Sequence, residues 1–198
     1  MDSVTGLVVD GNERYDYISY LKGFNGLKDV EFRNCEISSD DLLFLSNQKE
    51  YDRVAFINCS FEDVRLIQNI NTRSLSLTDN KINNYEFVYN MLSIERLTIV
   101  GGIVDASNLS SLNKIEYLRL SHSRVDNIEM FSSNTLKYLF IDNTNIQDIS
   151  FIRNYPNLEL LSLSDNQELY NQEIIKEISK SIRIIRDSVI EMEVIQGE

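Results

Sequence analysis

The stretch LKYLFIDNTNI, residues 136–146, sets the pattern of the chain. Apolar side chains fall at Leu136, Leu139, Ile141 and Ile146, and a polar one, Thr144, follows three places after the closely spaced pair. The same spacing recurs at Leu158, Leu161, Leu163 and Asn166, and at Ile115, Leu118, Leu120, Ser123 and Val125. It recurs again at Ile94, Leu97, Ile99, Gly102 and Val104, and at Thr72, Leu75, Leu77, Asn80 and Ile82. Two variants carry cysteine at the polar place: Leu27, Val30, Phe32, Cys35, Ile37, and Tyr51, Val54, Phe56, Cys59, Phe61. An opening unit, Val4, Leu7, Val9 and Asn12, meets Arg14 where an apolar residue is due, and one inserted residue restores the pattern at Tyr15, Ile18 and Tyr20. An end unit has a neighbour on one side only and drifts from the consensus, so residues 1–26 read as an N-terminal capping repeat and 27–168 as regular repeats.

The first residue of each close pair falls at Leu7, Val30, Val54, Leu75, Leu97, Leu118, Leu139 and Leu161, at intervals of 21 to 24 residues. A further apolar residue follows each closing one at plus five: Ile37/Leu42, Phe61/Leu66, Ile82/Phe87, Val104/Leu109, Val125/Met130 and Ile146/Phe151. Each unit is therefore expected to supply a short strand with two inward side chains, a turn, and a return segment carrying the plus-five residue. No unit buries that face alone. Stacked units form a parallel sheet over one continuous core. At the polar place the chain turns inward and leaves backbone groups in need of partners, which Asn, Thr and Ser supply and Cys supplies weakly. Gly102 supplies none, so its turn is expected to be the loosest.

After Asn166 the pattern changes. Leu169 arrives one place late, and Ile174, Ile175 and Ile178 then share one helical face. A ninth strand is expected over residues 181–185, centred on Ile182 and Ile184. Residues 189–194 alternate apolar side chains with Glu191 and Glu193, a charged last strand that discourages another chain from adding to it. Residues 169–198 thus read as a C-terminal cap, and residues 1–198 as a single domain.

A period of this length lies in the range of leucine-rich repeats. The units resemble the short repeats, about 22 residues long, of bacterial internalin-type proteins, most closely over NTNIQDISFIRNYPNLELLSLSDN at residues 143–166, and the resemblance covers residues 4–168. It implies an α/β repeat fold: a curved leucine-rich-repeat solenoid of eight to nine repeats, with a parallel sheet on the concave face and short helical or irregular segments on the convex side. It also implies that the concave sheet binds another protein. The secretion signal, helical N-cap and immunoglobulin-like domain typical of internalin-type proteins are not visible in the sequence.

Composition narrows the function classes. The chain is 198 residues long, with 42% hydrophobic and 25% charged residues, ordinary for one globular domain. No stretch of eighteen apolar residues occurs, so no membrane span is expected. The N-terminal residues are acidic where a secretory leader is basic, so a cytoplasmic location is expected if Met1 is the natural start. A formal net charge of −12 opposes nucleic-acid binding and favours a basic partner. Cys35 and Cys59 hold equivalent places in adjacent repeats and read as two buried free thiols. Neither cofactor nor metal is expected, because no Cys/His cluster has ligand spacing, and the expected state is a monomer.

Outward-facing strand positions show where a partner would sit. Arg96, Tyr117, Arg119, Tyr138, Phe140 and Leu160 fall on four successive strands and would form a basic-aromatic patch on an acidic protein. Tyr and Arg combine large contact area with a polar handle, which is why they are enriched at binding hot spots. The competing reading is an ordinary β face on which Arg119 stacks between two rings. Asp10, Asp29 and Glu31 form an acidic group read as a solvated face. Catalytic chemistry is poorly represented: His122 is the only histidine and reads as a solvated turn residue, the Gly101-Gly102 pair lacks a phosphate-loop context, and Asp40 and Asp41 read as exposed helix-start residues. The function that follows is a non-catalytic module holding a protein partner on its concave face. The alternative is an acidic inhibitor or immunity-type protein that neutralises a basic enzyme or toxin through Asp29 and Glu31.

Overall fold

The structure, a computed structural model, describes residues 4–11, 21–24, 26–48, 50–166, 169–178 and 181–186. Its strands in chain order are β1 (Gly6–Asp10), β2 (Asp29–Arg33), β3 (Glu36–Ile37), β4 (Tyr51–Ile57), β5 (Ser60–Phe61), β6 (Thr72–Thr78) and β7 (Arg96–Val100). There follow β8 (Ile103–Asp105), β9 (Tyr117–Arg119), β10 (Arg124–Asp126), β11 (Tyr138–Phe140), β12 (Leu160–Ser162) and β13 (Arg183–Ile185). One parallel sheet of nine strands runs β1-β2-β4-β6-β7-β9-β11-β12-β13, each repeat beside its sequence neighbour. β3 pairs with β5, and β8 with β10, in two small parallel ribbons.

Register follows the hydrophobic pattern without a slip. Leu7 lies opposite Val30, Val30 opposite Val54, and the row continues through Leu75, Leu97, Leu118, Leu139 and Leu161 to Ile184. A slip of one residue would turn each inward side chain to the other face. From Val30 to Leu161 this row is buried, as is its partner row Phe32, Phe56, Leu77, Ile99, Leu120, Ile141 and Leu163. Burial of each such side chain contributes about 1.5–3 kcal/mol. Where Phe replaces Leu in the cysteine-bearing repeats, Phe32 stacks on Phe56 at 5.3 Å and Phe61 meets Phe56 edge-on at 5.2 Å. In the ninth strand the expected centring is corrected. Ile184 takes the first inward place, whereas Ile182 precedes the strand; both remain half-buried against the core.

Seven repeats leave the sheet through a residue in the left-handed conformation: Asn34, Asn58, Asp79, Gly101, His122, Asn143 and Asp165, with φ from 49° to 84°. Asn, Asp and Gly tolerate that conformation best, which explains their dominance here. The next residue is the polar place of the pattern, and its side chain does the work expected of it. Asn80 donates through Nδ2 to the Phe56 carbonyl at 2.9 Å, and Asn166 to that of Ile141 at 2.8 Å. The Cys35 thiol donates to the Arg33 carbonyl at 3.1 Å and the Cys59 thiol to that of Ile57 at 3.3 Å. Gly102 itself offers no side chain, and a Cβ there would lie 3.0 Å from the Tyr85 hydroxyl. Tyr85 occupies the vacant place and donates to the Gly101 carbonyl at 3.3 Å.

The return segments are α1 (Ser39–Ser46) and 3₁₀ turns at Val64–Asn69, Glu86–Asn90, Ala106–Ser111, Ile128–Met130 and Ser150–Asn154. Strands stack about 4.8 Å apart, and helical segments are wider, so the stack bends with the sheet on its inner side. The plus-five residues Leu42, Phe87, Leu109 and Phe151 are buried as expected. Leu66 is only half-buried, with Ile67 in the core beside it, and Met130 is 61% exposed. Asn127, itself left-handed at φ 58°, turns the chain just before a single 3₁₀ turn and brings Ile128 and Phe131 inward instead. Asp41 also departs from expectation. It is buried as the third residue of a capping box, its Oδ2 accepting from the Ser38 N–H at 2.9 Å while Ser38 Oγ accepts from its own N–H at 3.2 Å.

At the C-terminal end α2 (Gln172–Ile178) packs on the last repeats, with Leu169 and Ile174 buried. The expected features at residues 12–20 and 189–194, and the side chain of Ile178, lie outside the described residues. No helix among the described residues is long and apolar enough to cross a membrane.

Candidate functional site

Alternation along the strands puts the residues flanking each inward pair on the concave face. Arg96, Tyr117, Tyr138 and Leu160 are successive register partners on β7, β9, β11 and β12; Thr98, Arg119, Phe140 and Ser162 form the next row. The Arg96 guanidinium lies over the Tyr117 ring at 4.4 Å, a contact worth about 0.5–1 kcal/mol at an exposed site. Tyr117 in turn packs against Phe140 with ring centroids 5.1 Å apart. Tyr138 donates its hydroxyl to Glu159 Oε2 at 3.0 Å, and that hydrogen bond pushes its pKa up. Arg119 does not stack between rings: its Nε donates to Ser121 Oγ at 3.3 Å, and Arg96 is the arginine that covers an aromatic face. Tyr117, Arg119, Tyr138, Phe140 and Leu160 are half-exposed and Arg96 is exposed, so the whole patch is reachable from solvent.

Beside it lies a trough of about 800 Å³ lined by Arg53, Arg96, Arg119 and His122 over a floor that includes Ser74, Ser76 and Thr98. The large side chains of the patch announce themselves in the sequence; this hollow does not, because it is made by small ones. Its one signal is the run of outward hydroxyls Ser74, Ser76 and Thr78 on a single strand. A second polar feature escaped the pattern too. Asp142 receives Ser121 Oγ at 3.2 Å, Ser162 Oγ at 2.5 Å and the Ser164 N–H at 2.9 Å, tying three strand ends together.

Charge is distributed unevenly over the arginines. Arg33, Arg53, Arg65, Arg73, Arg124 and Arg153 each pair with a carboxylate. Arg96 and Arg119 make no ion pair with any described residue. The expected solvated acidic face near the N-terminus holds for Asp10, which is exposed, and is corrected at Glu31 by these pairings. Arg53 bridges Asp29 at 2.9 Å and Glu31 at 2.5 Å, Arg33 reaches Glu31 at 2.5 Å, and Glu31 is buried. Burial alone would raise the Glu31 carboxyl, but hydrogen bonds from Arg53 and Arg33 outweigh it and hold its pKa below the usual range.

His122 sits in the turn after β9, exposed as expected, with Nδ1 2.8 Å from Asn143 Nδ2. Cys35 and Cys59 are buried free thiols. A hydrogen bond with Cys35, and then burial, raise the Cys59 thiol pKa, which keeps it protonated and a poor nucleophile. Among the described residues no cluster of three or more His, Cys, Asp or Glu could hold a metal ion.

No family model matches the chain, and no curated protein matches it. Solved structures do. An internalin of Listeria monocytogenes, InlF, superposes with a TM-score of 0.69 at 19% identity, over 92% of this chain and 57% of its own. A leucine-rich-repeat protein of Leptospira interrogans gives 0.59 at 20% identity, over 81% of this chain and 43% of that one. The chain has the leucine-rich-repeat fold. TLR13, solved in complex with an ssRNA, shares this leucine-rich-repeat architecture at a TM-score of 0.65 and 17% identity, over 81% of this chain and 26% of its own. Identities this low speak for the fold alone. The chain spans less than two-thirds of the length of each of these structures.

Proposed function

We propose that this chain is a non-catalytic interaction module that holds a protein partner on the concave face of its sheet, across Arg96, Tyr117, Arg119, Tyr138, Phe140 and Leu160. The observation that carries this reading is the contact chain Arg96–Tyr117–Phe140, a continuous solvent-reachable surface rich in the residue types enriched at binding hot spots. Contiguous aromatic surface left open to water on a folded chain marks interaction sites. A polyanion is disfavoured by the net charge of −12, so the RNA of the TLR13 complex is not carried over. Two buried free thiols suit a reducing compartment such as the cytoplasm.

The test is affinity capture from lysate of the source cells, comparing the wild type with an Arg119→Glu/Phe140→Ser variant that circular dichroism shows to be folded. The expected result is a protein retained by the first and lost by the second; equal recovery overturns the reading. The acidic-inhibitor alternative keeps the net charge in its favour but loses its contact residues, since Asp29 and Glu31 are already paired with arginines. Capture that is lost on changing those two residues, and that weakens steeply with salt, would favour it instead.

A further inference from the structure

We infer that the concave trough takes an acidic segment of a partner protein, with a carboxylate held by Arg96 and Arg119 and an adjoining apolar side chain against Tyr117 and Phe140. This deepens the binding reading above and rests on it.

The trough lining sets Arg53, Arg96 and Arg119 against Asp79 alone, a local excess of positive charge on a chain of net charge −12. The chain carries 31 acidic residues against 19 Lys and Arg, so an arginine finds a carboxylate with little effort. Six of the ten described arginines do so; Arg183 and Arg186 near the C-terminal end do not, and neither do Arg96 and Arg119, which flank one hollow. Guanidinium groups on adjacent strands that lack a carboxylate are complementary to one, since the guanidinium edge can bind it in a planar, bidentate fork. The floor fits the same purpose. Ser74, Ser76 and Thr98 are small enough to leave the hollow open, and their hydroxyls offer further donors to an anion.

Dimensions select the occupant. The trough runs from Arg53 on β4 to Arg119 on β9, across the neighbouring strands β4, β6, β7 and β9. At about 4.8 Å per strand that span is about 14 Å, the length of about four extended residues. A short extended segment therefore fits, with its apolar side chain directed to the Tyr117–Phe140 contact at the β9 end. A phosphate dianion fits less well. Asp79 lines the same trough and Asp142 adjoins Ser121, so a dianion meets about twice the repulsion that a singly charged carboxylate does.

The test is selection of a phage-displayed random heptapeptide library on the full chain. Enriched sequences are then synthesised and titrated against wild type, Arg96→Gln/Arg119→Gln and Tyr117→Ser/Phe140→Ser, each checked for fold by circular dichroism. The expected result is enrichment of Asp or Glu beside a large apolar residue, with binding roughly tenfold or more weaker on the arginine variant. Lysine at both arginine positions should restore part of the loss, because it returns charge without the fork. Peptides without an acid that lose binding only on the aromatic variant overturn the acidic-segment proposal and leave the concave binding face standing. Peptides indifferent to both variants overturn both. No enrichment overturns the proposal alone, since capture of a folded partner tests the wider reading independently.

Discussion

Asn80 holds Cys59 from the next repeat: its Oδ1 accepts the Cys59 N–H at 2.7 Å while its Nδ2 donates to the Phe56 carbonyl at 2.9 Å. One side chain thus satisfies a donor and an acceptor where the neighbouring chain turns away from the sheet and its backbone pairing lapses. Asn166 repeats the device one end further on, accepting from the Thr144 N–H at 2.8 Å. Asn80→Ala leaves both backbone groups without this partner and should cost about 2–3 kcal/mol, read from the urea midpoint at unchanged slope. Ser123→Ala removes only a bond to the Ser121 carbonyl at 3.3 Å and should cost about 1 kcal/mol or less. Equal losses would show that the polar place acts through packing and not through its bridge between repeats.

Tyr155 presents the opposite situation. Its ring is buried against Phe131 at 5.2 Å and Phe151 at 6.0 Å, and its hydroxyl, alone among the described buried side-chain N and O atoms, has no hydrogen-bond partner. Burial pushes its pKa up. Removing an unsatisfied buried hydroxyl recovers its desolvation cost, so Tyr155→Phe should be neutral or raise stability by about 1 kcal/mol. A loss of stability in thermal denaturation would mean that the hydroxyl has a partner in solution.

The repeat boundaries were legible because two periods, one of two residues and one of about 22, act on the same apolar side chains. A misplaced Leu118 or Leu139 would break both, so the register had little freedom. Where only one constraint operates, the pattern misleads. Alternation alone puts Ile182 inward and spacing alone puts Met130 inward, although Asn127 turns the chain first. At the site, Arg96, Tyr117 and Phe140 were visible as large residues at outward places, but the stacking partner of Tyr117 was not, since either arginine could reach it. The trough was invisible for a different reason: Ser74, Ser76 and Thr98 contribute by what they leave empty. The pairing of Arg53 with Asp29 could have been foreseen, as the two are opposite each other across adjacent strands.

The ion pairs of Glu31 make stability depend on pH. Its folded pKa is depressed, so its contribution is present above the unfolded carboxylate value near 4.5 and is lost as pH falls through the lower folded value. Glu31→Gln should therefore be less stable than wild type at pH 7, by about 2 kcal/mol. The two denaturation curves should converge as pH drops below the ordinary carboxylate range. A gap that persists at low pH would assign the effect to packing of the side chain and not to its charge.

His122 offers the last separation of structure from chemistry. It occupies the left-handed place of its repeat at φ 56°, where other repeats carry Asn, Asp or Gly. Asn adopts this conformation readily and retains a polar side chain beside Asn143, so His122→Asn should leave stability within about 0.5 kcal/mol. A β-branched residue meets the full steric cost of the left-handed region, and His122→Val should lose about 1–2 kcal/mol. Chemical denaturation of the two variants reads the difference directly. If the position serves the backbone, Asn also preserves partner capture; a variant that folds as well as wild type but no longer captures would instead make the imidazole, at the edge of the trough, part of the binding surface.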